Sequence, residues 1–308
     1  MSPRTICVSL AIIAQSFAAA QAPSQTANDY DMGMAIGLCM SAKCQVFHGF
    51  LSTNAPHSGE SVSVRVDQWW AGPHSATETI SLPYEELPAR CSGDGGCPVA
   101  SAWMNVKASP NFPLVVVLSL EKGFGTLPGI PVFMTSDERE AEIIRLVTKE
   151  AARLDGSPEL ISEAVASLSR FPNPALAGYM YTRLRFSKMP VETDRWADLF
   201  WQLIQNPSVP RDRWGEIAVW LVSCYDSLSS AGRTLLVSRL RELGQQEDVL
   251  PATIGVAGLA EIASHDASVE IRIPPATLVK LRSSYAALVS KGSIYSNLGP
   301  LKALLGVR

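Results

Sequence analysis

Residues 61–72 read Ser-Val-Ser-Val-Arg-Val-Asp-Gln-Trp-Trp-Ala-Gly, and the first part of the chain is organised around this segment. Val62, Val64 and Val66 alternate with polar residues, which predicts a β-strand with one buried face. The valines need neighbouring strands to complete a sheet. Further strands are predicted on both sides, at residues 44–51, 78–82, 113–120 and 130–134. We therefore expect an antiparallel β-domain up to about residue 135.

After residue 135 the spacing of apolar residues changes from the alternation of a strand to the spacing of a helix. Thr135-Ser-Asp-Glu138 has the spacing of a helix capping box. An apolar stripe typical of a helix follows, formed by Ile143, Val147, Ala151 and Leu154. Further helices are predicted to begin at capping residues, near Asp194, Asp212, Ser229 and Asp248.

The predicted helix starts recur roughly every 18 residues, so two successive helices make a hairpin of the length found in stacked helical repeats. In this respect the region loosely resembles HEAT-type solenoids. Gly255 and Gly258 lie one turn apart and predict a close crossing with another helix. The predicted fold class is therefore α+β and multidomain, with a small antiparallel β-barrel followed by an all-α stack of helical hairpins.

The N-terminal residues have the order of a secretory signal peptide. Arg4 is followed by an apolar run from residue 6 to residue 20 that ends in small residues. A membrane anchor is the alternative, but Gln15 and Ser16 interrupt the run. We therefore expect a signal peptide at 1–20, a flexible N-terminus at 21–30, a β-barrel domain at 31–135 and a helical repeat-like domain at 136–308. The mature protein would then be secreted or periplasmic.

The composition suits a folded protein without nucleic-acid partners. Of the 308 residues, 47% are hydrophobic, and the formal net charge is −3. Lys and Arg form no basic stripe, so binding to nucleic acid is not expected. No later stretch of sequence approaches the length of a membrane span. We expect the partner to be a protein or another component of the cell envelope.

Five cysteines remain once the signal peptide is removed. Cys39, Cys44, Cys91 and Cys97 fall in the β-region, where an oxidising compartment favours two disulfides. Four cysteines permit three pairings and spacing selects none of them, but we favour at least one bond between the first two and the last two. A tetrahedral zinc site is the alternative. Cys224 is expected to act as a small buried apolar residue on a helix.

The β-region contains an apolar-aromatic-x-Gly strand, an alternating strand ending in Trp-x-Gly, a short third strand, a cysteine and an apolar strand. These features are carried by Val46, Phe47, Gly49, Val62, Val64, Val66, Trp70, Gly72, Ile80, Cys91 and Leu114–Leu118. The order resembles the netrin-like module, the OB-type barrel also found in tissue inhibitors of metalloproteinases. The resemblance implies an OB-like barrel. Those inhibitors bind a protease zinc through an N-terminal cysteine, whereas Cys39 lies well downstream of Ala20, so protease inhibition is an alternative that requires a second cleavage.

No catalytic residue, cofactor or metal ligand is predicted, because the common motifs are missing from the sequence. It contains no Gly-x-Ser-x-Gly, no His-Glu-x-x-His and no Walker loop. The alternative rests on His48, His57 and His74, which all belong to the β-region, since imidazoles bind zinc or copper. If they converge, the protein is a metal-dependent hydrolase or a metal-binding protein. Otherwise His48 packs in its strand and the two loop histidines face solvent.

The leading hypothesis is a binding protein without enzymatic activity. Trp69 and Trp70 are adjacent in a strand, so one of them must point outward. An exposed tryptophan of this kind indicates a contact surface. OB-type barrels bind ligands through a sheet face and the adjoining loops, which predicts ligand contacts at Trp69, Trp70, His57 and His74.

Overall fold

A computed structural model describes residues 25–41, 43–52, 61–73, 79–83, 103–105, 113–121, 129, 131–154, 158–186, 193–290 and 299–306. These residues fall into two compact units, Ser24–Met189 and Pro190–Arg308. In the described part, the first unit combines a β-sheet with helices, whereas the second consists of helices.

The sheet of the first unit has six strands in the order β3-β2-β1-β5-β6-β4. Neighbouring strands pair antiparallel, except β4 and β6, which pair parallel. The strands are β1 (Cys44–Leu51), β2 (Ser61–Ala71), β3 (Thr79–Pro83), β4 (Trp103–Asn105), β5 (Pro113–Ser119) and β6 (Pro131–Thr135).

The strands predicted from alternation and apolar runs are present, and the α+β arrangement is confirmed. The prediction missed β4, because a strand of three residues is too short to show an alternating pattern. In the described part β3 and β4 are the two edges of the sheet and do not pair with each other. The strands therefore form an antiparallel half-barrel with a short parallel edge strand.

One face of the half-barrel sheet holds an apolar core. Val62 and Val64 of β2 contribute to this core as predicted, since both are fully buried. Side chains from β1, β3, β5 and β6 complete the cluster: Phe47, Leu51, Leu82, Leu114, Val116, Leu118 and Met134. Core formation thus explains why one face of β2 is apolar.

A helix precedes the sheet, contrary to the flexible N-terminus predicted for residues 21–30. Residues 25–30 form the first part of α1 (Gln25–Ser41). Tyr30 and Ile36 are fully buried, and Met32 is 2% exposed. The prediction failed because this segment is polar by composition, and only packing against the rest of the unit makes its helix stable.

Three helices that follow the sheet belong to the same unit: α2 (Glu138–Arg153), α3 (Pro158–Leu168) and α4 (Pro174–Phe186). Helices α1 and α2 contact the sheet, and α4 contacts α1, α2 and α3. The division between units therefore follows residue 189 and does not coincide with the change of period at residue 135. Helix α2 is capped by Asp137, whose side chain accepts hydrogen bonds of 3.0 Å from the amides of Arg139 and Glu140, and not by Thr135.

Helices α1 and α4 cross with their backbones in contact. A Cβ atom added at Gly33 would overlap the carbonyl oxygen of Ala175, and one added at Gly178 would overlap that of Tyr30. The hydroxyl of Thr182 donates to the carbonyl oxygen of Met34 at 3.2 Å across the same crossing. Glycine is required here because no side chain fits between the two backbones.

The second unit contains α5 (Thr193–Ile204), α6 (Trp214–Ser223), α7 (Ser230–Gly244), α8 (Val249–His265), α9 (Pro275–Ser290) and α10 (Gly299–Leu305), with 3-10 turns at Arg211–Arg213 and Tyr225–Ser227. The predicted starts near Asp194, Ser229 and Asp248 are confirmed within a residue or two. Ser229 and Asp248 cap their helices by accepting hydrogen bonds from the amides of Gly232 and Leu250.

Helix α8 is the most deeply buried element of the second unit, with residues 251–260 all buried. The predicted close crossing is confirmed at Gly255, where a Cβ would overlap the amide nitrogen of Gly244 and the carbonyl oxygen of Leu240 on α7. In the part of the chain that the structure describes, no helix has both the length and the apolar character needed to cross a membrane.

Candidate functional site

An irregularity in strand β2 places Asp67 beside His48. His48 pairs with Gln68 and the next residue of β1, Gly49, pairs with Val66. Asp67 is therefore an extra residue on β2, which is the definition of a β-bulge. A bulge changes the direction of the strand and re-aims its side chains. Here the carboxylate Oδ2 of Asp67 lies 3.0 Å from Nδ1 of His48.

A second bulge lies three residues later in β2, at Trp70. Phe47 pairs with Trp69, whereas Val46 pairs with Ala71, so Trp70 is the extra residue. Because of the two bulges, the two-residue alternation of β2 does not continue to the end of the strand. Val66 and Trp69 pack against the core, although they are three residues apart.

The two bulges create a cluster of side chains on the other face of the sheet. We call His48, Phe50, Arg65, Asp67 and Trp70 the β1–β2 patch. The indole of Trp70 is stacked on the imidazole of His48, with ring centroids 6.2 Å apart and planes inclined by 15°. The rings of His48 and Phe50 pack edge to face, with their centroids 5.4 Å apart. The guanidinium carbon of Arg65 lies 5.7 Å from the centre of the Phe50 ring.

The β1–β2 patch is accessible to solvent. The side chain of Asp67 is 53% exposed and that of His48 is 24% exposed, while Arg65 is exposed and the two aromatic residues are half-buried. The indole Nε1 of Trp70 donates to Oε1 of Gln68 at 3.2 Å. Partly exposed tryptophan and arginine side chains are the residue types that dominate the energy of protein interfaces. The geometry therefore suits binding of another molecule.

The chain matches no family model, no curated protein and no solved structure. The netrin-like resemblance therefore still rests on the strand pattern in the sequence.

The structure separates the four residues predicted to bind ligand. Trp70 belongs to the β1–β2 patch, whereas Trp69 points to the opposite face and packs on Phe47, with ring centroids 5.1 Å apart. We assign Trp69 to the core of the half-barrel. His57 and His74 lie outside the described residues. Among the residues that the structure describes, no group of three His, Cys, Asp or Glu side chains is placed to hold a metal ion.

Sequence reasoning did not single out Phe50, Arg65 or Asp67 as site residues. Arg65 and Asp67 appeared only as the polar half of an alternating strand, and Phe50 as one side chain of β1. Their importance comes from the cross-strand register, because Phe50 stands opposite Arg65 in the β1–β2 pair. A sequence signal did exist at Trp69-Trp70, where two large residues interrupt the alternation.

Cys39 and Cys44 are neighbours in the folded chain. Cys39 lies in the last turn of α1 and is fully buried, and Cys44 begins β1 and is 8% exposed. A hydrogen bond to Cys44, together with burial, raises the pKa of the Cys39 thiol, and the same hydrogen bond lowers the pKa of Cys44. Both are free thiols in the structure, and Cys91 and Cys97 lie outside the described residues. Cys224 is half-buried at the end of α6, where burial raises its pKa.

This contact changes the disulfide pairing that we expect. Export into an oxidising compartment should join Cys39 to Cys44, because a hydrogen bond already links the two thiols. Peptide mapping of the exported protein without reduction should recover the two cysteines in one cross-linked pair. The Cys91→Ser variant should retain this bond. A bond from Cys39 to Cys91 in the unmodified protein would show that the original preference for a bond between the two segments was right.

Proposed function

We propose that this protein is exported and acts as a non-enzymatic binding protein, whose β1–β2 patch contacts a protein or another envelope component. The observation that carries the proposal is the pair of bulges that turns Trp70 and Asp67 toward His48. Bulges are over-represented at sheet edges and beside active sites, where they re-aim a side chain. The result is a fixed group of aromatic and charged side chains at the surface, suited to a partner with both apolar and polar groups.

We take the half-barrel to be an OB-type barrel, a fold that is partly open and binds ligands on a sheet face. The β1–β2 patch lies on such a face. We take the second unit to be a helical-hairpin stack, because its principal helix–helix contacts join helices one or two apart in the chain.

Export is proposed from the N-terminal sequence, and the thiol pair supports it. Cys39 and Cys44 are buried and hydrogen-bonded to each other, and an oxidising compartment would allow these thiols to form a disulfide. A secreted or periplasmic location also fits a partner in the envelope. The net charge of −3 and the absence of a basic stripe in the sequence argue against nucleic acid as the partner.

The test is a comparison of affinity captures from the native envelope fraction. Trp70→Ala should weaken retention of the specific partner about thirtyfold, the effect of removing an interface residue that contributes about 2 kcal/mol. Arg65→Ala should weaken it in the same direction. Phe171→Ala is the matched control, because Phe171 is a highly exposed aromatic residue of the same unit, at 77%, and lies outside the patch. Equal retention by all three variants would contradict the proposal.

A metal-binding role is the second candidate. The hydrogen bond between Asp67 and Nδ1 of His48 is the arrangement that orients metal-bound histidines, whose second nitrogen then faces the ion. His57 and His74 would have to supply further ligands. Metal analysis of the same preparations, made without a histidine tag, separates the candidates. Stoichiometric zinc or copper that disappears on His48→Ala would replace the binding-protein proposal.

A further inference from the structure

The second unit contains a cavity of about 550 Å³ that no part of the proposed function uses. We call it the α7 groove. It is lined by one face of α7, by the turn that precedes this helix and by the segment that follows α8, including Tyr225, Arg233, Arg241 and Asp266. The volume is within the range of sites that bind small organic molecules.

Two arginines stand at successive positions along the groove. Arg233, Val237 and Arg241 are spaced four residues apart on α7, so they share one face of the helix. The two arginines are separated by about 12 Å along the helix axis, two turns of helix. Leu228, Val237 and Val269 contribute apolar surface to the same lining. The groove therefore offers two positive groups with apolar surface between them.

The hydrogen-bonding capacity of both guanidinium groups is largely unused among the described residues. Arg233 donates from Nη2 to the carbonyl oxygen of Asp226 at 2.6 Å, and Arg241 donates from Nη2 to the carbonyl oxygen of Glu270 at 3.1 Å. Both acceptors are neutral backbone oxygens. The Nε group of each arginine is buried without a hydrogen-bond partner. A guanidinium group has five donors, so each arginine can bind a further acceptor.

The carboxylate in the groove, that of Asp266, attracts Arg233 electrostatically, but among the described residues it forms no hydrogen bond with either arginine. Asp266 accepts hydrogen bonds from the hydroxyl of Tyr225 at 2.7 Å, and from the hydroxyl and amide of Ser268 at 2.6 and 3.0 Å. These hydrogen bonds lower the pKa of Asp266 to about 2, so the group is ionised at neutral pH. The carboxylate of Glu270 is paired with Arg272 at 2.8 Å. Neither arginine of the groove forms an ion pair with a described residue.

We infer that the α7 groove binds a small organic dicarboxylate, with one carboxylate on Arg233, the other on Arg241 and the hydrocarbon chain against Val237. Carboxylates pair with guanidinium groups through strong, charge-assisted hydrogen bonds. Most of the lining is polar, but Leu228, Val237 and Val269 add apolar surface that a hydrocarbon spacer can contact and a compact inorganic anion cannot use. This site belongs to the second unit and does not depend on the β1–β2 patch.

The experiment is isothermal titration of the mature protein with dicarboxylates of increasing chain length, from succinate to suberate. At least one member should bind with one-to-one stoichiometry, and Arg233→Ala and Arg241→Ala should each weaken it about tenfold or more, as expected for the loss of a charged hydrogen bond. Arg239→Ala is the matched control on the same helix, because Arg239 pairs with Asp198 at 2.5 Å and does not line the groove. This variant should bind like the unmodified protein.

Competition experiments with inorganic phosphate and with the diamide of the tightest-binding dicarboxylate test whether the groove recognises the carboxylate groups. Neither should compete with the dicarboxylate. Thermal unfolding of each variant shows whether lost binding reflects lost structure. Absence of binding across the series, equal binding by a folded Arg241→Ala variant, or equal competition by phosphate would overturn the inference.

Discussion

Gly178→Ala is expected to lower the free energy of unfolding by about 3 kcal/mol, near the upper end for overpacked sites. The same change inside a helix normally stabilises it by about 1 kcal/mol, because alanine restricts the unfolded chain and favours helix. Here the new Cβ would overlap the carbonyl oxygen of Tyr30 and lie 3.0 Å from the amide nitrogen of Met34. Those are backbone atoms of α1, so relief requires the whole helix to move away from α4.

Urea unfolding followed by far-ultraviolet circular dichroism measures this effect, and hydrogen exchange of the amides of α1 and α4 locates it. Gly244→Ala is the matched control in a second buried helix, since its Cβ would make an ordinary contact of 3.4 Å with the side chain of Val256. This variant should be at least as stable as the unmodified protein. If Gly178→Ala were equally stable, α1 would not cross α4 as closely as the structure shows.

Arg213→Met should destabilise the protein by about 3 kcal/mol or more, because it removes one member of a buried ion pair. Nη1 of Arg213 lies 3.1 Å from Oε1 of Glu216, and only 9% and 8% of the two side chains is exposed. Without this guanidinium, the carboxylate of Glu216 stays shielded from water but loses the positive charge of Arg213. The double variant Arg213→Met/Glu216→Leu should recover about 2 kcal/mol, since replacing both charges removes the desolvation cost.

The exposed pair of α2 provides the comparison. Arg145 and Glu142 are also three residues apart on a helix, but their side chains are 63% and 61% exposed. Arg145→Met should therefore cause no measurable change in urea unfolding, because water already solvates both charges. A double variant no more stable than Arg213→Met alone would show that the loss comes from the packing of the arginine and not from an uncompensated charge.

Local patterns were sufficient for most of the secondary structure. The valines of β2 predicted a strand because a two-residue period matches the pleat of a sheet. Ser229 and Asp248 predicted helix starts because their side chains accept hydrogen bonds from amides that the helix leaves unpaired. Gly255 predicted a close helix crossing because glycine has no side chain to keep two backbones apart. Each of these signals depends on neighbours in the chain, so it can be read without knowing the fold.

The candidate sites were only partly predictable. Trp70 was identified because two adjacent tryptophans must face opposite ways, but the sequence did not say which one faces outward. The arginines of the α7 groove could not be recognised from the sequence, because part of the cavity beside them is lined by Asp266, Ser268 and Val269, which follow the next helix. The contact between Cys39 and Cys44 could not be derived from the spacing of the four cysteines, because it depends on how the end of α1 meets the start of β1.

The sequence was enough to place the change from strands to helices near residue 135, because the spacing of apolar residues reports directly on the local period of the backbone. The tertiary structure alone decided that α1 packs against α4 and that Asp67 and Trp70 bulge out of β2 onto His48. A bulge is a mismatch in residue number between paired strands, so it exists only relative to the partner strand. The face on which Trp70 lies was therefore undetermined until β1 and β2 were in register.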